Sequence, residues 1–345
     1  MVVDSAKGKS EVIEESVKSG QVTETTEYKY VGFWVNKQGN CKLQIERKKG
    51  KIKGEVVALK SVANSYTLGE TYINVRLEMY ESSIVPSLLC NMEDWNKQSK
   101  GEIKSLEQIQ ASTLCSLLEL PKTTPYVGLL CELGMWRIEE RMIYRKLMRY
   151  NNYITSEDSR LAKRLLVQQE TNNDVYESFY GTVVDMTTTI GIKIDDLKFL
   201  PKQQLKKLIK TKLNQRMVAL LTASIPLMTK LRFLHVPEAN NFDRKQYIIY
   251  MKGKEAVDAL RIILNMVVVY GNYRGDINMS RLCPHCKARD DTTEHLVDCV
   301  SFHSMVTSKD LYRNNCFNKE TWRQILEVVT FNMAHRTESP GWVTT

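Results

Sequence analysis

The sequence predicts a mostly α fold of the α+β class: a small N-terminal β-hairpin, a helical bundle and a C-terminal zinc knuckle. Three observations carry that expectation. The run Thr26-Glu-Tyr-Lys-Tyr-Val-Gly-Phe-Trp-Val35 is rich in aromatic and β-branched residues and ends in the turn-forming Asn36-Lys-Gln-Gly-Asn40. From Lys48 onward, apolar residues recur at the period of a helix. Three of the eight cysteines and two of the five histidines crowd into residues 283–299.

Composition bounds the rest. A chain of 345 residues has room for two or three domains, and 43% apolar with 26% charged residues is a globular mix. The opening Met1-Val-Val-Asp-Ser-Ala-Lys-Gly-Lys9 has no apolar signal region. The longest apolar stretch, Ile262 to Tyr270, is interrupted by Asn265 and too short to cross a bilayer. An intracellular protein of nucleus or cytoplasm, with no membrane partner, is expected. Cys41, Cys90, Cys115, Cys131 and Cys316 should then be reduced and mostly in the core. The net charge of +9 favours an anionic partner, nucleic acid before membrane.

Taken in order, the hairpin comes first, its second strand predicted at Cys41-Lys-Leu-Gln-Ile45 from alternating apolar and polar residues. Gly32 inside the first strand marks either a simple bulge or a place where another backbone comes close. One helix is expected around Ile52, Val56, Leu59 and Ala63, and a second from Gly69 to Asn91, kinked or ended by Pro86. A third runs from Glu102 to Leu120 and is broken by Pro121-Lys-Thr-Thr-Pro125. Gly134 to Tyr150 buries Trp136, Ile143, Leu147 and Tyr150, while Arg137, Arg141, Arg145 and Arg149 recur every four residues. No acid lies four before Arg141, Arg145 or Arg149, so the row is expected to be largely uncancelled along its own helix, Glu140 being the nearest competitor. Such a row is either a solvated face or a track for phosphates, which guanidinium forks suit.

Pro201 to Arg216 holds six Lys or Arg and no acid, with Lys206, Lys207 and Lys210 grouped away from Leu205, Leu208 and Ile209. Ala256 to Tyr270 is a helix against which the knuckle should dock, and Trp322 to Phe331 is the last helical stretch. The expected units are residues 1–47, 48–200, a helical linker 201–275, the knuckle 276–305, and a helix with tail 306–345.

Cys283 and Cys286 flank Pro284-His285, a turn that points two sulfurs at one place. Asp291-Thr-Thr-Glu294 has the spacing of a capping box, so a helix starting nearby sets His295 and Cys299 one turn apart on one face. Cys-x2-Cys-x8-His-x3-Cys suits tetrahedral zinc, and four protein ligands leave no open position, so the metal is structural. A redox pair would need a βαβ setting that is missing, and buried hydrophobes fit poorly among Arg, Lys and Asp. His285 and His303 stand near enough to replace a ligand.

The order of Tyr28-Lys-Tyr-Val-Gly-Phe-Trp34, Leu106-Glu-Gln-Ile-Gln-Ala-Ser-Thr-Leu-Cys-Ser-Leu-Leu-Glu-Leu-Pro121, Glu132-Leu-Gly-Met-Trp136 and the Cys/His knuckle resembles the C-terminal part of a non-LTR retrotransposon reverse transcriptase. The resemblance covers the chain from about residue 20. It implies that 1–47 ends a palm-like β unit, with Tyr30-Val31-Gly32 at the primer grip where the family has Tyr-Leu-Gly. It implies that 48–200 is a thumb that holds RNA, RNA–DNA hybrid or DNA. A polymerase palm needs carboxylates for two Mg²⁺ ions. Asp290-Asp291 belongs to the knuckle, and Asp195-Asp196 follows the grip-like hairpin, whereas the resembled family places its catalytic pair before it. The chain is thus expected to bind template–primer without catalysis of its own. The alternative is a free-standing zinc-containing protein, derived from this module, that binds nucleic acid or another protein.

Overall fold

The computed structural model describes residues 27–30, 33–36, 42–65, 72–92, 98–172, 178–267, 282–283, 285–299, 307–311 and 318–336. The described chain is mostly helical. Strands β1 (Glu27–Tyr30) and β2 (Phe33–Asn36) pair antiparallel, Tyr30 opposite Phe33. The strand expected at 41–45 is corrected: helix α1 spans Lys42–Ser65. Ile45, Ile52 and Val56 are buried together at helical spacing, and five alternating residues are too few to separate a strand from a helical turn. The Trp34 N–H donates to Gln44 Oε1 (3.1 Å), and the Arg47 guanidinium lies 4.6 Å over the Trp34 ring.

Helix α2 (Tyr72–Met79) widens into a π turn, Tyr80–Ile84, before α3 (Val85–Leu89). The widening directly precedes Pro86, whose ring would crowd the carbonyl four residues back in a regular helix. Helix α4 (Lys100–Leu117) opens on a capping box: Ser99 Oγ accepts the Glu102 N–H (3.2 Å), and Glu102 Oε2 accepts the Ser99 N–H (2.8 Å). Helix α5 (Tyr126–Leu133) ends at Gly134, left-handed at φ 59°. A Cβ at Gly134 would lie 2.2 Å from the Asp243 carbonyl carbon, so both conformation and space demand glycine. The helix expected from Gly134 therefore begins later, as α6 (Ile138–Ile154).

Helices α7 (Leu161–Thr171), α8 (Phe179–Ile190), α9 (Ile194–Phe199) and α10 (Lys202–Ser224) follow. After several 3₁₀ turns come α11 (Gln246–Tyr250), α12 (Gly253–Ile263), α13 (Thr293–Asp298), α14 (Ser308–Leu311) and α15 (Lys319–Arg336). Helix α12 stops short of the expected Tyr270 because Asn265 turns left-handed at φ 54°.

Two hydrophobic cores organise these helices. The first draws on Ile45 to Met142 and again on Met217 to Val329; the second draws on Ile143 to Leu213. Helices α6 and α10 belong to both. On α10, Leu205, Ile209 and Leu213 enter the second core and Met217 and Leu221 the first, all fully buried. The opening of the stretch expected as a linker is thus a packed spine along its whole length. Cys115 and Cys131 are core residues as expected, whereas Cys90 is exposed; Cys41 and Cys316 lie outside the described residues. No described helix is long and apolar enough to cross a membrane.

Candidate metal centre and basic surfaces

The knuckle is built from backbone upward. Leu282 and Asp290 form an antiparallel bridge, the Cys283 N–H donates to Arg289 O (2.8 Å), and the Lys287 N–H donates to Cys283 O (2.9 Å). Lys287 takes the left-handed conformation (φ 55°) that closes the loop. Helix α13 begins one or two residues later than its sequence suggests, capped by Thr292, whose Oγ1 accepts the His295 N–H (3.1 Å). Its single turn and a half carries His295 to the loop, with Cys299 at its end.

The ligand atoms of Cys283, Cys286, His295 and Cys299 all lie within 4.8 Å of one another, an arrangement that can hold a metal ion. Cys283 Sγ and Cys299 Sγ are 3.8 Å apart, and Cys286 Sγ and His295 Nε2 are 3.2 Å apart. Metal–sulfur bonds of about 2.3 Å in a tetrahedron require sulfur–sulfur edges of about 3.8 Å, so the donor set fits. Cys283, His295 and Cys299 are buried and Cys286 is half-buried. Burial pushes the Cys283 thiol up to about 11. The Cys286 thiol is held below its ordinary value, chiefly by the Ala288 N–H directed at its sulfur. His285 is half-buried outside this quartet, and His303 lies outside the described residues.

The centre is fastened to the body on several sides. Buried Thr293 donates through Oγ1 to Asn265 Oδ1 (2.5 Å) just beyond α12, and Leu296 and Val297 enter the first core. Arg232 Nη2 donates to Glu294 Oε2 (2.6 Å). Asp298 Oδ1 accepts the Ser308 N–H (2.6 Å) at the start of α14. The knuckle helix packs chiefly on α15 and α14, so the docking expected along Ala256 to Tyr270 is corrected: that stretch is reached at Asn265 by the Thr293 hydrogen bond.

The arginine row divides in two. Arg141 Nη1 and Nη2 both donate to the Glu81 carboxylate (2.7 and 2.6 Å), and the Arg141 side chain is only 13% exposed. Arg137 binds Glu140 and Glu139 and lies 3.8 Å from Glu107. The expectation of an uncancelled row is therefore corrected for these two, because the carboxylates arrive from the π turn and from α4 as well as from the first turn of α6 itself. Arg145 and Arg149 are half-exposed, and Arg149 lies 5.2 Å over the Tyr153 ring. Lys206, Lys207 and Lys210 are exposed on α10, and no ion pair among the described residues engages them. Tyr30 closes β1, while Val31 and Gly32 lie outside the described residues.

Asp195 and Asp196 sit in the first turn of α9, where Asp196 Oδ2 accepts the Lys193 N–H (3.1 Å). They cap a helix rather than tip a hairpin. Comparison with family models, with curated proteins and with solved structures yields no match to this chain.

Proposed function

We propose that this chain is a nucleic-acid-holding thumb and zinc module similar to the C-terminal part of a non-LTR retrotransposon reverse transcriptase, without polymerase catalysis of its own. The observation that carries the reading is the convergence of Cys283, Cys286, His295 and Cys299 on one point at zinc-compatible distances, in a chain that ranks its other motifs in the order of that family. Zinc, when bound, would cross-link the 283–289 loop to α13. The chain's own residues do the rest: Thr293 and Glu294 hold the knuckle on the body, and Lys206, Lys207 and Lys210 present three cations on one exposed stretch of helix. Arg137 and Arg141 leave the phosphate-binding set, their charges being matched within the fold.

Two measurements test this. Metal analysis of the purified chain should find one zinc per chain, reduced in Cys286→Ser and in His295→Ala; full occupancy in both variants defeats the ligand assignment. Titration of a labelled RNA–DNA hybrid at several salt concentrations should show tight, salt-dependent binding. Replacing Lys206, Lys207 and Lys210 together by Ala should flatten log affinity against log salt by roughly 2 to 3 units. It should do so for every sequence alike, because phosphates carry no base information. An unchanged slope defeats the lysine surface, and absence of binding in the parent defeats the nucleic-acid reading.

A further inference from the structure

The C-terminal end of α5 carries a buried carboxyl that belongs neither to the knuckle nor to the basic surfaces. Glu132 is 2% exposed, its carboxylate accepts the Tyr247 hydroxyl (2.7 Å), and its main-chain carbonyl accepts the Lys245 N–H (3.1 Å). Among the described residues no cation reaches ion-pair distance of that carboxylate, and Lys245 directs its Nζ to His235 O instead (3.2 Å). The groups around Glu132 are thus Cys131 from α5, Lys245 and the His235 carbonyl from the turns before α11, and Tyr247 from α11 itself. Burial pushes the Cys131 thiol up to about 12 and the Tyr247 hydroxyl well above its ordinary value, so both stay neutral. Helix α15 closes over this cluster. The Trp322 ring stacks on the Tyr247 ring, centroids 5.6 Å apart and planes 24° apart, and both are buried. A carboxyl taken out of water with one hydroxyl donor and no ion pair favours its protonated form.

We propose that Glu132 is a proton-linked latch for α15: closed, it keeps its proton beneath Tyr247 and Trp322, and when α11 and α15 lift, the proton passes to water. The direction follows from linkage. Burial outweighs Lys245 and Tyr247 and pushes the enclosed carboxyl up to about 7, whereas a hydrated one ionises near 4.5. Lifting therefore releases a proton across that window, and rising pH favours the lifted state until the closed state is ionised as well. Helices α11 and α15 are the parts that can yield. The first has five residues and the second is the last described helix, and local opening draws on short and terminal elements. Helix α5, by contrast, is anchored by Leu129, Leu130 and Leu133 in the first core. The knuckle helix α13 packs on α15, so lifting also loosens the seat of the metal centre. The latch stands independently of nucleic-acid binding.

The test follows amide hydrogen exchange of the full, zinc-loaded chain from about pH 5 to about pH 8, each rate divided by that of an unstructured chain at the same pH. For Ile325 and Leu326 the resulting opening ratio should rise about tenfold per pH unit up to about pH 7 and then level off. Small additions of urea should hardly change it, because lifting exposes little surface compared with unfolding. Glu132→Gln keeps the shape and removes the titration, so its ratio should stay flat. Tyr247→Phe keeps the ring but removes the donor to the ionised carboxylate, so levelling should move to higher pH. The latch is overturned if the parent ratio does not change with pH or if Glu132→Gln keeps the slope. It is overturned equally if Tyr247→Phe levels where the parent does, or if urea speeds exchange as steeply as it unfolds the chain.

Discussion

The arginines of α6 and the lysines of α10 look alike in the sequence, and the fold treats them in opposite ways. Arg137 and Arg141 are drawn inward onto Glu140, Glu139 and Glu81, whereas Lys206, Lys207 and Lys210 remain on the surface. The difference lies outside both helices. Helix α6 faces the π turn and α4, which deliver Glu81 and Glu107; α10 turns its leucine stripe inward and leaves its lysines where no described carboxylate reaches. A planar guanidinium also tolerates burial against a carboxylate better than a strongly hydrated ammonium. A charge row therefore reports a binding surface only when the elements packed against its helix bring no counter-charge.

The comparison breaks most sharply at Arg141. Arg141→Ala strands Glu81 in a partly buried position and should lower stability by about 2 to 3 kcal/mol, read by denaturant titration. The slope of nucleic-acid binding against salt should not change, and a change would return Arg141 to the binding surface. A one-sided case sharpens the point. Glu140 lies between two guanidiniums, whereas Glu132, 2% exposed, has Lys245 nearby and accepts a hydrogen bond from the Tyr247 hydroxyl (2.7 Å). Burial outweighs both partners and pushes the Glu132 carboxyl up to about 7. A folded value above the unfolded one means that the associated stability is complete below about pH 4.5 and is lost as pH rises through about 7. Glu132→Gln should therefore match the parent near pH 4.5 and exceed it by roughly 3 kcal/mol at pH 8. Equal stability of the two at both pH values counts against the buried charge.

Smaller effects follow. Arg141→Lys loses the two-pronged grip and should cost about 1 kcal/mol in the same titration. The triple lysine variant should stay within about 0.5 kcal/mol of the parent, because exposed charges far from special contacts seldom matter to folding. A larger loss there would mean that the lysines hold the fold and not a ligand.

Local chemistry was legible and distant chemistry was not. The knuckle could be read because its four ligands span seventeen residues and a turn plus a short helix bring them together without help from the body. The stripes of α4 and α6 were legible from their period, although the Ser99–Glu102 capping box, which sets the true start of α4 at Lys100, went unread. Cys41–Ile45 misled because alternation over five residues fits a strand and the opening turn of α1 equally well. Glu81 gives no local sign that it will meet Arg141 sixty residues later, a pairing set by the widened turn before Pro86.

The way α6 and α10 thread both cores bears on how the chain comes into being. Every residue of the second core lies between Ile143 and Leu213, while the first is begun by residues before it and finished by residues after it. The second core is nested in the first. During synthesis, at roughly 5 to 20 residues per second, the nested core is complete while the outer one still lacks the strip from Met217 to Val329. Loop closure favours the shorter span as well, so the nested helices should gather first and bring the two halves of the outer core to a common wall. Pulse-labelled hydrogen exchange on refolding chains should accordingly protect Leu147 and Ile209 before Leu77 and Ile325. The nested core would then serve the protein as the template on which its larger neighbour closes.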